Sequence, residues 1–321
     1  MVVFVWLLAG LVLLGLAVLA GLLAFGKAEV GPPREGLGFN TGLDDLDYSD
    51  LPEVRHAPAR DGAEIPYRLY PCRAEKTVVL IHGSSSRGRS MHGLAAYLAE
   101  AEIARCVTLD LRGHGWGRPG DLDYVGQLED DLADLIEQLA QDGLARRLVL
   151  AGFSAGGGFA LRFAASRYGE EASAYLFLAP FIHEESPTLR PDNGWAYAHD
   201  KRIAALRLLN AVGIKAFNGL TALSFALGPE DRKVTTPDYT YSMMMNFRPG
   251  RDYRAGLARL SRPSVLIVGS DDEDFRPSAY QDDVVDHARS LRFRILDGVK
   301  HMELITKPAA LRAIGEEISG L

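Results

Sequence analysis

The sequence has little with which to cross-link itself. Its 321 residues include two cysteines, Cys72 and Cys106, too few for a disulfide framework or a zinc site. Cys106 falls in an apolar run, Ile103 to Leu109, and reads as a core residue, so cysteine usage does not report the redox compartment. No basic run with interleaved aromatics occurs, and the net charge is -7. That excludes nucleic acid as an expected partner. No cluster of metal-ligand type is present. The glycine run Gly156-Gly157-Gly158 lacks the following Lys-Ser/Thr of a phosphate loop. No cofactor and no metal are therefore expected. Internal repeats and low-complexity tracts are also missing.

Another absence is of charge. Met1 to Gly26 contain no charged side chain. A hydrocarbon core needs about 20 apolar residues to be spanned by a helix. A signal peptide would show a basic start and an apolar stretch of only about 7–15 residues. Here no Lys or Arg precedes Lys27, although Ala24-Phe25-Gly26 is a passable cleavage site. The expectation is a single transmembrane anchor over residues 1–26. The membrane side is not determined, with Lys27 and Arg34 weakly favouring a cytoplasmic body. Residues 27–50, rich in Gly, Pro and Asp, read as a linker, with an ordered, packed arm as the alternative.

Hydrophobic residues make up 47% and charged residues 24%, ample for one large α/β domain. From Leu51 onward the pattern is globular. Val54–Pro58 and Ile65–Tyr70 flank Arg60-Asp61-Gly62, a hairpin signal. Short continuous apolar runs, at Thr77–Ile81, Ile103–Leu109, the stretch before Gly152, Ala174–Leu178 and Ser264–Val268, read as strands buried on both faces. They alternate with helical stretches, which predicts a mostly parallel sheet with crossover helices. The alternation stops between His183 and Arg262, where the apolar stretches read as helical, and resumes afterwards. The predicted division is a core in two parts, 51–182 and 263–321, with an inserted helical cap over 183–262.

The chemistry centres on Gly152-Phe153-Ser154-Ala155-Gly156. A strand runs into it and a helix leaves it, which is the setting of a nucleophile elbow. Side chains at Gly152 and Gly156 would collide where the helix crosses the strand end. A serine hydroxyl needs a base in reach and a third group to orient that base. Downstream, Val265–Val268 leads into Gly269-Ser270-Asp271-Asp272-Glu273-Asp274, and Arg292–Leu296 leads to His301. Ser, acid and His follow in that order. His301 alone of eight histidines lies after the last strand. Asp271, Asp272 and Asp274 compete as the acid, with Glu184 a further alternative. The oxyanion calls for backbone N–H groups, one from Ala155 and one from the loop His82-Gly83-Ser84.

These stretches, together with Asp110-Leu111-Arg112-Gly113-His114-Gly115 and Val299-Lys300-His301-Met302, resemble the α/β-hydrolase fold. Within it the chain resembles the lysophospholipase and monoacylglycerol-lipase-like branch, which overlaps the serine aminopeptidase grouping. The resemblance implies a Ser154, Asp272, His301 triad with Ser84 and Ala155 as oxyanion donors. It implies a serine hydrolase acting on small-molecule or lipid esters through an acyl-enzyme. A peptidase or amidase on the same triad is the alternative, since the cap holds eight carboxylates between Glu184 and Asp252. A non-catalytic binding protein would need a broken triad. The cap's large apolar residues, including Ile203, Leu206, Leu208, Leu209, Phe217, Leu223, Phe225, Leu227 and Met243 to Met245, suggest an apolar acyl pocket.

Overall fold

The computed structural model describes residues 2–33, 43, 46–115, 122–191 and 194–321. Residues 34–42, 44 and 45 of the linker expected over residues 27–50 lie outside the described residues. The chain begins with helix α1 (Val2–Phe25). Strands β1 (Val54–Pro58) and β2 (Glu64–Tyr70) form the expected hairpin, followed by β3 (Lys76–Ile81), α2 (His92–Glu100), β4 (Arg105–Leu109), α3 (Gln127–Gln141), β5 (Arg147–Phe153), α4 (Ala155–Ala164) and β6 (Ala174–Leu178). The inserted region carries β7 (Ala196–Ala198), α5 (Asp200–Ala211), β8 (Thr221–Phe225), α6 (Asp231–Val234), β9 (Asp238–Thr240), α7 (Tyr241–Phe247) and α8 (Tyr253–Ala258). The core then closes with β10 (Ser264–Gly269), α9 (Ala279–Asp283), β11 (Leu291–Leu296) and α10 (Pro308–Gly320).

One sheet of eight strands, in the order β1-β2-β4-β3-β5-β6-β10-β11, forms the core. The pairs β1·β2 and β2·β4 are antiparallel, and the remaining pairs are parallel. β3, β6 and β10 are buried at every position. That is why they read as unbroken apolar runs: helices cover both faces of a parallel sheet. The chain reverses its direction of travel across the sheet at β3, which lies between β4 and β5. In open α/β sheets such a switch point leaves a crevice beyond the carboxyl ends of the strands.

The inserted region differs from the all-helical cap expected. Beside its helices it holds a second sheet, β7-β8-β9, antiparallel throughout. Phe217 to Leu227 reads as a helical stretch in sequence, yet Thr221–Phe225 is its central strand. Five apolar and small residues are compatible with either periodicity, and pairing with β7 and β9 decides for the strand. Ala279 to Arg289, helical in its sequence pattern, forms only the short α9 before a 3₁₀ turn at Val285–His287.

Candidate active site

Ser154 sits between β5 and α4 with φ 56° and ψ -121°. For a residue with a Cβ this backbone is strained, at about 1–3 kcal/mol. The surroundings hold it there. Ser154 N–H donates to the Leu178 carbonyl at 2.8 Å, and the Ser154 carbonyl accepts from Phe181 N–H at 2.9 Å. A side chain at Gly152 would strike the Gly156 backbone, and one at Gly156 would strike the carbonyls of Ile81 and His82. Only glycine lets α4 cross β5 and β3 so closely.

Asp272 and His301 come together behind this turn. Asp272 lies in the tight turn after β10, and its side chain is fully covered. Its Oδ1 accepts the backbone N–H groups of Asp274 (2.9 Å) and Phe275 (2.8 Å). Its Oδ2 meets His301 Nδ1 at 2.7 Å. A carboxylate makes Nδ1 the protonated nitrogen and leaves Nε2 as the nitrogen available to act as a base. His301 N–H donates to Glu273 Oε2 at 2.9 Å, which fixes the loop itself. The imidazole lies between Phe153 and Phe275, with ring centroids 4.7 and 5.3 Å away.

Of the competing acids, Asp271 is exposed and accepts from the Ser270 hydroxyl, and Glu184 pairs with Arg248 at 2.7 Å. Asp274 lies on the other side of the imidazole, with its Oδ2 3.8 Å from His301 Nε2. No hydrogen bond joins Ser154 Oγ to His301 among the described residues. Such catalytic bonds are often long in resting enzymes and tighten only with substrate.

The electrostatics favour a charged His301. Burial of the ring opposes the charge, but it is outweighed by the charge and hydrogen bond of Asp272 and then by the charges of Asp274 and Glu273. The pKa rises from 6.5 to about 9.

Ala155 is the first residue of α4, so its N–H has no intrahelical acceptor and faces outward from the positive end of the helix. Ser84 follows β3. An added Cβ on its neighbour Gly83 would stand 3.3 Å from the Ser154 Cβ. The structure thus brings Ser84 and Ala155 into the lining of the same cavity as Ser154.

The loop holding Ser84 is fastened by Trp195, Thr236 and Tyr239, which no sequence motif marks, and by His82 and His114, which lie in turn motifs of the sequence. Trp195 Nε1 donates to Ser84 Oγ at 3.1 Å. Ser85 N–H donates to the Tyr239 hydroxyl at 2.7 Å, and Ser85 Oγ donates to the Thr236 carbonyl at 2.8 Å. Tyr239 in turn meets His114 Nε2 at 2.7 Å. His82 also braces the loop. Its Nδ1 lies 2.8 Å from the Gly83 carbonyl, and its Nε2 accepts Leu111 N–H at 3.3 Å. Burial depresses the pKa of both histidines, so they stay neutral and structural.

Over the serine lies a cavity of about 740 Å³. Ser154, Ala155 and Ser84 form its base. Phe181, Trp195, Ile203, Leu223, Phe225, Met244, Phe247 and Phe275 supply apolar wall. Ile203, Leu223, Phe225 and Met244 had been expected from the cap's apolar content. Leu206 and Leu209 instead fill the cap's interior, and Leu208 and Phe217 point to the outside. Glu184, Glu185, Asp200, Arg207, Arg248 and Asp274 add charge at the margin. Asp192, one of the cap carboxylates, lies outside the described residues.

Comparison with known proteins agrees with this architecture. Residues 78–314 match the profile of the alpha/beta hydrolase family. No sequence among curated proteins matches the chain. Among solved structures, a soluble variant of monoglyceride lipase from Saccharomyces cerevisiae superposes with a TM-score of 0.61 at 17% identity, covering 86% of this chain and 96% of that one. Monoacylglycerol lipase from Paleococcus ferrophilus gives 0.60 at 18%, covering 80% and 99%. A thermophilic esterase from Thermogutta terrifontis gives 0.58 at 17%, covering 84% and 98%. At these identities the likeness is one of fold.

Proposed function

The chain belongs to the alpha/beta hydrolase family, and on that premise we propose a membrane-anchored serine hydrolase that cleaves carboxylic esters of apolar acyl chains, in the manner of a monoacylglycerol lipase or lysophospholipase. The observation that carries the proposal is the strained Ser154 at the base of an apolar cavity of about 740 Å³, with the Asp272–His301 pair set beside its strand.

In this mechanism Ser154 Oγ attacks the ester carbonyl carbon as His301 Nε2 takes its proton. Asp272 holds the ring in the right tautomer and stabilises the imidazolium that forms. The N–H groups of Ala155 and Ser84 receive the developing oxyanion. Collapse of the tetrahedral intermediate breaks the bond to the alcohol oxygen, which leaves with the proton from His301. Water, deprotonated by His301, then attacks the acyl-enzyme and releases the acid.

The anchor is α1. It has 24 residues, its most apolar 18-residue stretch has a mean hydropathy of 2.9, and none of it is buried. At 1.5 Å per residue the helix is about 36 Å long, enough to cross a hydrocarbon core of about 30 Å. We read it as retained on the mature chain, because the buried guanidinium of Arg202 donates to the carbonyls of Leu23 and Ala24. Cleavage there would strip a buried cation of two acceptors, which is costly.

A second reading, an amidase or aminopeptidase on the same triad, is favoured by one observation. Glu184, Glu185, Asp200 and Asp274 all border the cavity, and carboxylates there suit a substrate ammonium group. Turnover of acyl esters, monoacylglycerols, lysophospholipids and aminoacyl amides, measured side by side with Ser154→Ala as control, separates the two. Faster cleavage of aminoacyl amides than of any ester would reject the ester reading.

A further inference from the structure

The end of α1 is built into the cap. Arg202, 3% exposed on α5, donates from Nε to the Leu23 carbonyl (2.8 Å) and from Nη2 to the Ala24 carbonyl (3.0 Å). Its Nη1 reaches the Thr221 carbonyl at the start of β8 (3.1 Å). The last carbonyls of a helix lack intrahelical partners and form the negative end of its dipole. One guanidinium thus caps α1 and ties it to the cap sheet. Ala28 N–H donates to His199 Nδ1 at 2.9 Å, and a Cβ added at Gly26 would stand 2.8 Å from the Arg202 backbone nitrogen. Leu19, Leu22 and Leu23, at i, i+3 and i+4, are half-buried, whereas nearly all of the helix before them is bare. α1 therefore packs along α5 over its final turns and joins the cap as a rigid part.

The same α5 serves the cavity and an exposed apolar surface. Asp200, Ile203, Ala204 and Arg207 border the cavity. Leu208 and Val212, near its C-terminal end, are 60% and 68% exposed, and Ile214 and Phe217 in the loop beyond are each 44% exposed. Four large apolar side chains in ten residues are too many to leave to water without a reason. Apart from the buried Arg202, the segment 200–219 holds the exposed cations Lys201, Arg207 (3.6 Å from Glu184) and Lys215 against a single acid, Asp200, in a chain whose net charge is -7. Apolar side chains interleaved with basic ones fit the boundary between acyl chains and anionic headgroups.

We propose that the C-terminal half of α5 and the loop behind it form a bilayer-binding surface, seated in the lipid interface beside α1 by the Arg202 clasp, so that the cavity receives its acyl substrate from the bilayer. The inference rests on α1 spanning a membrane, as proposed above. Continuity with α1 and the local excess of cations select a lipid surface as the occupant.

The test uses the full chain with Cys72→Ser, since Cys106 is fully buried and does not label. Single cysteines replace Leu208, Phe217 or, as a reference on the core's edge strand, Ile295, and each carries an environment-sensitive bimane. The protein is reconstituted in phosphatidylcholine–phosphatidylglycerol vesicles with or without brominated acyl chains, and flotation is measured on the same samples. The expected result is a blue shift and bromolipid quenching at positions 208 and 217, with neither at 295. Protein that floats while 208 and 217 remain as unquenched as 295 overturns this inference and leaves the anchor standing. Protein that does not float overturns the anchor and the inference together. Efficient oxidative disulfide cross-linking between copies of the unlabelled Phe217→Cys protein, with the labelled protein unquenched, assigns the surface to a second copy and also overturns it. None of these readouts depends on the hydrolase activity.

Discussion

The hydroxyl of Tyr239, on the cap strand β9, accepts the backbone N–H of Ser85, on the loop after the core strand β3, at 2.7 Å. Ser85 itself has φ 63°, a left-handed conformation unusual for a side-chain-bearing residue. The cap is thus more than a cover for the cavity. It holds in shape the loop whose preceding residue, Ser84, is assigned to the oxyanion. Tyr239→Phe leaves this buried N–H without its acceptor, at about 1–3 kcal/mol. The expected effect is a fall in kcat of about ten- to a hundredfold, with KM nearly unchanged and the cavity intact. Steady-state kinetics on a soluble ester checks it. A rise in KM with kcat preserved would show that Tyr239 acts on substrate binding instead.

Asp272→Asn addresses the orienting acid. The amide oxygen can still accept the N–H groups of Asp274 and Phe275, so the turn should survive. Its NH₂ group would then face His301 Nδ1 and impose the wrong tautomer. A loss in kcat of about 10⁴-fold is expected, by analogy with acid-to-amide changes in other triads. Unchanged thermal unfolding alongside that loss locates the effect in the site. Activity within a few fold of the parent would reject Asp272 as the acid.

The pH profile follows from His301. Its pKa in the folded chain is raised to about 9, and the base must be neutral to accept the serine proton. kcat/KM should therefore rise with pH and level off above about 9. Asp274, whose Oδ2 is 3.8 Å from Nε2, is one of the charges that raise this value. Asp274→Asn should move the limb to lower pH. The stability counterpart has the opposite dependence: since the folded pKa exceeds the ordinary 6.5, the pair's contribution is complete below that value and is lost as pH rises through about 9. A limb that stays put in Asp274→Asn would show that this carboxylate does not influence the base.

The acyl-chain dependence follows from the cavity. Each methylene moved from water into the apolar wall should contribute about 0.8 kcal/mol, close to fourfold in kcat/KM. Rates on p-nitrophenyl esters should climb from acetate through medium chains and flatten once the cavity is full. Ile203→Asp, on the cavity wall, should level that climb. Rates independent of chain length in the parent would contradict an acyl-binding role.

What the sequence disclosed, and what it did not, has a physical pattern. The elbow was legible because backbone crowding at Gly152 and Gly156 is a local demand that only glycine meets. The parallel strands were legible because burial on both faces leaves unbroken apolar runs. The choice among Asp271, Asp272 and Asp274 was not, since it depends on which carboxylate the turn after Gly269 directs inward. β8 was missed because its five residues suit a strand only when β7 and β9 flank it. The contacts of Tyr239 with Ser85 and of Arg202 with Leu23 join positions more than 150 residues apart, and no local pattern announces such pairs.

Every step of the proposed reaction depends on Ser154 as the nucleophile. Reaction of the full chain with a fluorophosphonate, followed by peptide mass spectrometry, measures this directly. The expected result is a single phosphonylated residue, Ser154, with labelling abolished in Ser154→Ala and ester turnover lowered by about 10⁶-fold. Labelling elsewhere, or full turnover in Ser154→Ala, would contradict it.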